Sequence, residues 1–160
     1  MSFNKASEHL EKFGLEKNII LLEESSATVE LAATALGCEP ERIAKSLTFW
    51  VEDKAIMIVA AGDTKVDNSK YKKEFGCKAK MLTYDEVEKY IGHGVGGVCP
   101  FGINSGVLVY LDESLNRFDF VYPACGSSNS CVKLKLDELE RCSNFIEWVD
   151  VCKIPQKESV

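Results

Sequence analysis

The sequence predicts an α+β fold in which a mixed, barrel-like β-sheet is surrounded by helices. Short β-rich runs come in pairs: residues 46–51 and 55–61 are separated only by Glu52-Asp53-Lys54, which is hairpin spacing. Helical patterns fall between hairpins rather than after every strand, which disfavours a doubly wound parallel sheet. A chain of 160 residues with 46% hydrophobic side chains has enough apolar surface for one core. A single domain over residues 1–154 is therefore expected, with a loose polar tail over 155–160.

Each element has a local reason. Residues 3–13 carry apolar side chains at helical spacing, with Ser2 available as cap and Gly14 as stop. Residues 18–22 read as a short strand. Residues 28–36 form an alanine-rich helix closed by Gly37, and Pro40 suits the first turn of another short helix carrying Arg42, Ile43 and Lys45. The hairpin follows. A charged helix runs from beyond Val66 to about Phe75, residues 78–82 make a strand, and Thr83 with Glu86 has capping-box spacing for a helix ending near Ile91. Residues 107–111, 118–122 and 131–136 are strands. A helix over 137–141 and a last strand near 145–151 complete the series.

Between the helix at 84–91 and the strand at 107 lies Gly92-His93-Gly94-Val95-Gly96-Gly97-Val98-Cys99-Pro100-Phe101-Gly102. No helix or strand keeps so many glycines, so the run is a shaped loop of exposed amides. Such amides suit a phosphate, a carboxylate or a developing oxyanion. A tight crossover between two strands is the plainer reading.

Composition narrows the chemistry. No apolar run is long enough to span a bilayer and the N-terminal segment is amphipathic rather than a signal h-region, so a cytoplasmic protein without membrane contact is expected. The seven cysteines are odd in number and form no C-x-x-C pair, which argues for core fillers in a reducing compartment rather than a disulfide framework or a metal site. A thiol-based redox or metal-buffering protein is the reading they would otherwise support. The net charge of -6 disfavours coating of nucleic acid, yet Lys65, Lys70, Lys72, Lys73, Lys78 and Lys80 oppose only Asp67 and Glu74. That segment is either a solvated helix face or a local footprint for a few RNA phosphates.

Familiar catalytic constellations are absent: no G-x-S-x-G elbow, H-E-x-x-H pair, Walker lysine or Rossmann fingerprint occurs. The residues favour attack on an already activated bond, such as an ester held by backbone amides and a cation.

Five motifs then fall in order. Ala44-Lys45-Ser46-Leu47 enters a strand, and Ala61-Gly62-Asp63 precedes Val66-Asp67. The glycine loop follows, then Cys125-Gly126-Ser127-Ser128-Asn129, and finally Val132-Lys133-Leu134 with Asp137-Glu138-Leu139. Together, over residues 19–151, they resemble the YbaK/ProX family of aminoacyl-tRNA deacylases, which is related to the editing insertion of bacterial prolyl-tRNA synthetase. The resemblance implies a compact YbaK-type domain. It also implies hydrolysis, without a cofactor or metal, of the ester on a mischarged tRNA acceptor end carrying alanine, cysteine, serine or threonine. A synthetase is a possible partner.

By that resemblance Lys45 is the required cation, and Gly96 to Pro100 lines the aminoacyl site, with Gly96 and Gly97 amides as oxyanion donors. Ser46, His93, Cys99, Pro100, Gly126, Ser127 and Ser128 are expected to border the substrate, and Lys65, Lys70, Lys72 and Lys73 to meet the tRNA. Taken alone, Lys45 is a helix-end lysine, His93 hydrogen-bonds its own loop, Cys99 is packing and Gly126 to Asn129 is a turn. A module that binds aminoacyl-tRNA without hydrolysing it is the alternative. The Gly-Ser-Ser-Asn turn and Ser46 depart from both the cysteine-clearing and the alanine-clearing members, which leaves the amino acid open.

Overall fold

The computed structural model describes residues 2–155, so the expected tail, Pro155 aside, lies outside the described residues. In chain order the elements are α1 (Ser2–Glu11), β1 (Ile19–Leu21), α2 (Val29–Leu36), β2 (Ile43–Val51), β3 (Lys54–Ala61), β4 (Lys65–Val66), α3 (Asn68–Phe75) and α4 (Tyr84–Glu86). They continue with β5 (Leu108–Asp112), β6 (Phe120–Pro123), β7 (Ser130–Val132), β8 (Leu134–Lys135), α5 (Leu136–Cys142), β9 (Trp148–Val149) and β10 (Cys152–Lys153).

The expected mixed sheet is present. Six strands in the order β8-β6-β2-β3-β5-β9 form the main sheet, and β1-β7 and β10-β4 add two small antiparallel pairs. β2 and β3 pair antiparallel over eight positions from Ala44↔Ala61 to Val51↔Lys54, which is the predicted hairpin. Parallel contacts of β2 with β6 and of β3 with β5 flank it.

β3 is central because its sequence is apolar on both faces. Ala55, Met57, Val59 and Ala61 join one buried cluster with α1, α5 and the glycine loop. Ile56, Ile58 and Ala60 join a second with Tyr71 of α3 and Val151. Such a continuous apolar run is what a strand covered on both faces requires.

The caps follow local chemistry. Thr28 and Asp67 accept from the amides of Leu31 and Lys70, Gly37 and Gly76 close α2 and α3 in the left-handed conformation, and Thr83 with Glu86 makes the full capping box. Beyond Glu86 the helix widens into a π-turn, Val87–Ile91, before Gly92 stops it.

Four expectations need correction. The turn at Pro40–Arg42 is a single 3-10 turn, and Ile43 and Lys45 belong to β2, because Ile43 enters the sheet opposite Tyr122. Residues 78–82 do not form a strand. They run along β2 through an isolated bridge, Phe49↔Met81, since the capping box at Thr83 turns the chain away. Residues 131–136 divide between β7 and β8 as the chain passes from the β1 pair to the main sheet. The last strand shrinks to Trp148–Val149, after which Val151 N–H is taken by the Asp112 carboxylate and the chain moves on to pair with β4.

Candidate active site

A cleft of about 360 Å³ opens beside the first half of β2. Its walls come from the 26–29 segment, Ile43 to Thr48 of β2, Met81 to Val87 on one side, Val95, Gly96 and Val98 of the glycine loop, and Tyr122, Ala124 and Cys131. Three sequence-predicted residues, Lys45, Ser46 and Gly96, therefore meet in one place. The rim is apolar: Met81, Tyr84 and Val95 are 57%, 70% and 50% exposed.

Lys45 donates from Nζ to the Gly62 carbonyl at 3.4 Å and to the Thr64 carbonyl, just beyond the end of β3. Burial lowers its pKa, with the nearby Lys65 adding to the fall and Asp63 and Glu30 opposing it. A partly desolvated ammonium held only by carbonyls keeps most of its attraction for an anion. The turn that holds it is fixed: a Cβ at Gly62 would meet the Pro40 carbonyl oxygen at 2.2 Å.

The glycine loop supplies one wall, and the 126–128 turn packs behind it. Gly126 N–H donates to the Gly97 carbonyl at 3.0 Å, and a Cβ at Gly97 would lie 2.6 Å from the Gly126 carbonyl carbon and from Ser127 N. Ser26 ties the 26–29 segment to this wall, donating its amide and its hydroxyl to the Ser128 carbonyl at 2.6 and 3.2 Å. Gly96 sits at positive φ against Ala27 and Ser128.

The remaining predicted residues are placed as follows. Gly97 does not line the cleft, and its amide donates to the Gly94 carbonyl at 3.0 Å, so the loop itself consumes the donor expected to hold an oxyanion. His93, Cys99, Pro100 and Gly126 are buried behind the wall. His93 Nε2 donates to the Phe101 carbonyl at 2.6 Å, and burial holds its pKa below the usual histidine value. Burial pushes the Cys99 thiol up, which leaves it protonated and unreactive. Ser127 bonds within its own turn, to Asn129 and Ser130, while Ser128 is exposed at the edge.

Of the lysines, Lys65, Lys72 and Lys73 are exposed, whereas Lys70 is paired with Asp150 at 2.9 Å and bonds the Cys152 carbonyl. No cluster able to hold a metal ion occurs among the described residues. None of the described helices is long and apolar enough to cross a membrane.

Sequence reasoning missed Ser26, Met81, Tyr84, Tyr122 and Cys131 as cleft residues. Only the 25–28 run of small polar residues before a capped helix carried a local signal. The others arrive from three separate parts of the chain.

The aminoacyl-tRNA editing domain model matches residues 23–142, a span that includes every cleft residue. The chain belongs to this editing-domain family. The uncharacterized protein YwhH of Bacillus subtilis (strain 168) is 49% identical over 154 residues, covering 96% of this chain and 98% of that protein. Proline–tRNA ligase of Limosilactobacillus fermentum is 32% identical over 94 residues, which are 55% of this chain and 16% of the ligase. A crystal structure described as a candidate trans-editing enzyme for prolyl tRNA synthetase superposes with a TM-score of 0.85 at 29% identity, covering 95% of this chain and 97% of that one. This kinship supports an editing function on aminoacyl-tRNA.

Proposed function

We propose that this editing domain is an aminoacyl-tRNA deacylase that acts in trans in the cytoplasm, hydrolysing the ester between a small amino acid and the terminal adenosine of a mischarged tRNA. The reading is supported by the meeting of Lys45, Ser46 and Gly96 in one cleft. The substrate class is alanine, cysteine, serine or threonine. A wall of Val29, Ala32, Ile43, Leu82, Val87 and Val98 suits a short side chain, and side chains larger than threonine are expected to be poor substrates. Residues differing by one methylene are separated by only about 1 to 3 kcal/mol, so some overlap among small substrates follows.

In this reading the Lys45 ammonium leaves one of its carbonyl partners to hold the terminal phosphate or ribose, and the Gly96 amide faces the ester carbonyl oxygen. Water attacks the carbonyl carbon, a C–O bond forms, and the bond to the ribose oxygen breaks. The ribose oxygen takes the proton that the water loses, so free amino acid and intact tRNA are released. Fixing the ester against preorganised donors is the main source of rate. Gly97 and Gly126 pack the wall, and Lys65, Lys72 and Lys73 meet the RNA backbone. The test is deacylation of a panel of tRNAs charged with alanine, cysteine, serine, threonine and proline. Turnover confined to one or more of the small residues is expected; a folded protein that hydrolyses none would leave an RNA-binding module.

A further inference from the structure

β2 is paired with β3 along its length, but its other edge is interrupted at one residue. Parallel pairing with β6 ends at Ala44↔Pro123. Pairing resumes only at the 80–82 segment, where Trp50 N–H donates to the Lys80 carbonyl at 2.8 Å and Leu82 N–H to the Thr48 carbonyl at 3.2 Å. In an extended strand the amide and carbonyl of one residue point to the same edge, and successive residues alternate edges. Thr48 and Trp50 face outward, so Ser46 faces outward too, and neither neighbour reaches it. Among the described residues its main-chain amide and carbonyl have no partner on that edge, and its buried Oγ has none either. Backbone groups in a half-buried strand are nearly always paired. This gap lies in the wall of the cleft.

The gap offers one donor and one acceptor side by side. An α-aminoacyl ester offers the complement, an acceptor carbonyl and a donor ammonium on adjacent carbons. We propose that the aminoacyl group enters as a one-residue strand addition, with Ser46 N–H donating to the ester carbonyl oxygen and the Ser46 carbonyl accepting from the α-ammonium. Main-chain hydrogen bonds give affinity in strand addition whatever the side chain. Ser46 therefore reads the part common to all amino acids and leaves the side chain to the apolar wall. The inference rests on the editing-site reading above and adds to it the main-chain group that fixes the substrate.

The test uses two non-hydrolysable ligands, 3′-amino-3′-deoxyadenosine acylated with L-alanine or with propionate, which differ only in the α-ammonium. Titrated into the full chain, the alanyl ligand should bind at least about tenfold tighter, as a charge-assisted hydrogen bond gives, and the Ser46 amide proton should move downfield. Ser46→Pro removes the amide on an edge where no ladder bond is lost, and should abolish the shift and weaken the alanyl ligand. Ser46→Ala keeps the amide and should keep the preference between ligands. If Ser46→Pro does not fold, the ligand pair on the wild-type chain decides. Equal affinities, or a Ser46 amide that does not respond, overturn the strand addition while leaving the editing site standing. Failure of both ligands to bind removes the editing-site reading, and this inference with it.

Discussion

The carbonyl of Gly97 accepts the amide of Gly126 at 3.0 Å, and this bond fastens the glycine loop, whose Val95, Gly96 and Val98 line the cleft, to the serine-containing turn behind it. The contact is made at backbone distance because Gly97 has no Cβ to meet the Gly126 and Ser127 main chain, while the bare Cα of Gly126 lets α1 approach from Ser2 and Phe3.

A methyl group at Gly97 must displace main chain, so Gly97→Ala should lower stability by about 1 to 3 kcal/mol and reduce hydrolysis by shifting the wall. Gly94, three residues earlier, has open space where its Cβ would stand. Gly94→Ala should change stability by less than about 0.5 kcal/mol. Urea unfolding of the two variants tests the contrast, and equal destabilisation would contradict the packing assigned to Gly97.

The cysteines should divide by burial. Cys38 and Cys77 are partly exposed, and the other five are buried. Burial also pushes the Cys125, Cys142 and Cys152 thiols up to about 12. Alkylation of the native protein should therefore modify Cys38 and Cys77 alone, with the rest reacting only in denaturant, as mass spectrometry would show. Rapid modification of Cys99 or Cys131 would count against a purely packing role.

His93 makes stability depend on pH. Its folded pKa is depressed by burial, so as pH falls below about 6.5 the unfolded imidazole takes up a proton that the folded one refuses. Stability conferred by the neutral ring is complete above that value, declines as pH falls towards the folded pKa, and levels off below it. Denaturant melts between pH 7.5 and 5 should show this component, and His93→Asn should lack it. An identical slope in the variant would remove His93 as its source.

Most of the framework was legible because its signals are local. Thr28, Gly37, Thr83 and Glu86 announce their caps, and Glu52-Asp53-Lys54 announces the hairpin. Local sequence puts Lys45 on a helix because Pro40 begins one, and the pairing of Ile43 with Tyr122 that ends it after one turn is a long-range contact. Gly97 reads as a free donor in the sequence because glycine amides are exposed on average; that the Gly94 carbonyl takes this one depends on the loop's closure. Tyr84 and Met81 reach the cleft only through the path of residues 80–84 along β2. No pattern in the sequence reports that path.

The basic segment should act on affinity rather than on chemistry. Lys72 and Lys73 are exposed and make no ion pair among the described residues, unlike Lys70. Lys72→Glu with Lys73→Glu should raise KM for charged tRNA several-fold with kcat little changed, and should lower the salt slope of binding by about 1 to 2. Unaltered KM and salt dependence would place the RNA elsewhere.

Lys45 is the cation on which the proposed hydrolysis depends. Deacylation of a small mischarged aminoacyl-tRNA should be measured for the wild-type chain and for Lys45→Ala, with circular dichroism to confirm that the variant is folded. A fall of at least about 100-fold in kcat/KM is expected, the order that follows from loss of an electrostatic anchor at the reacting ester. An unchanged rate in a folded Lys45→Ala protein would contradict it.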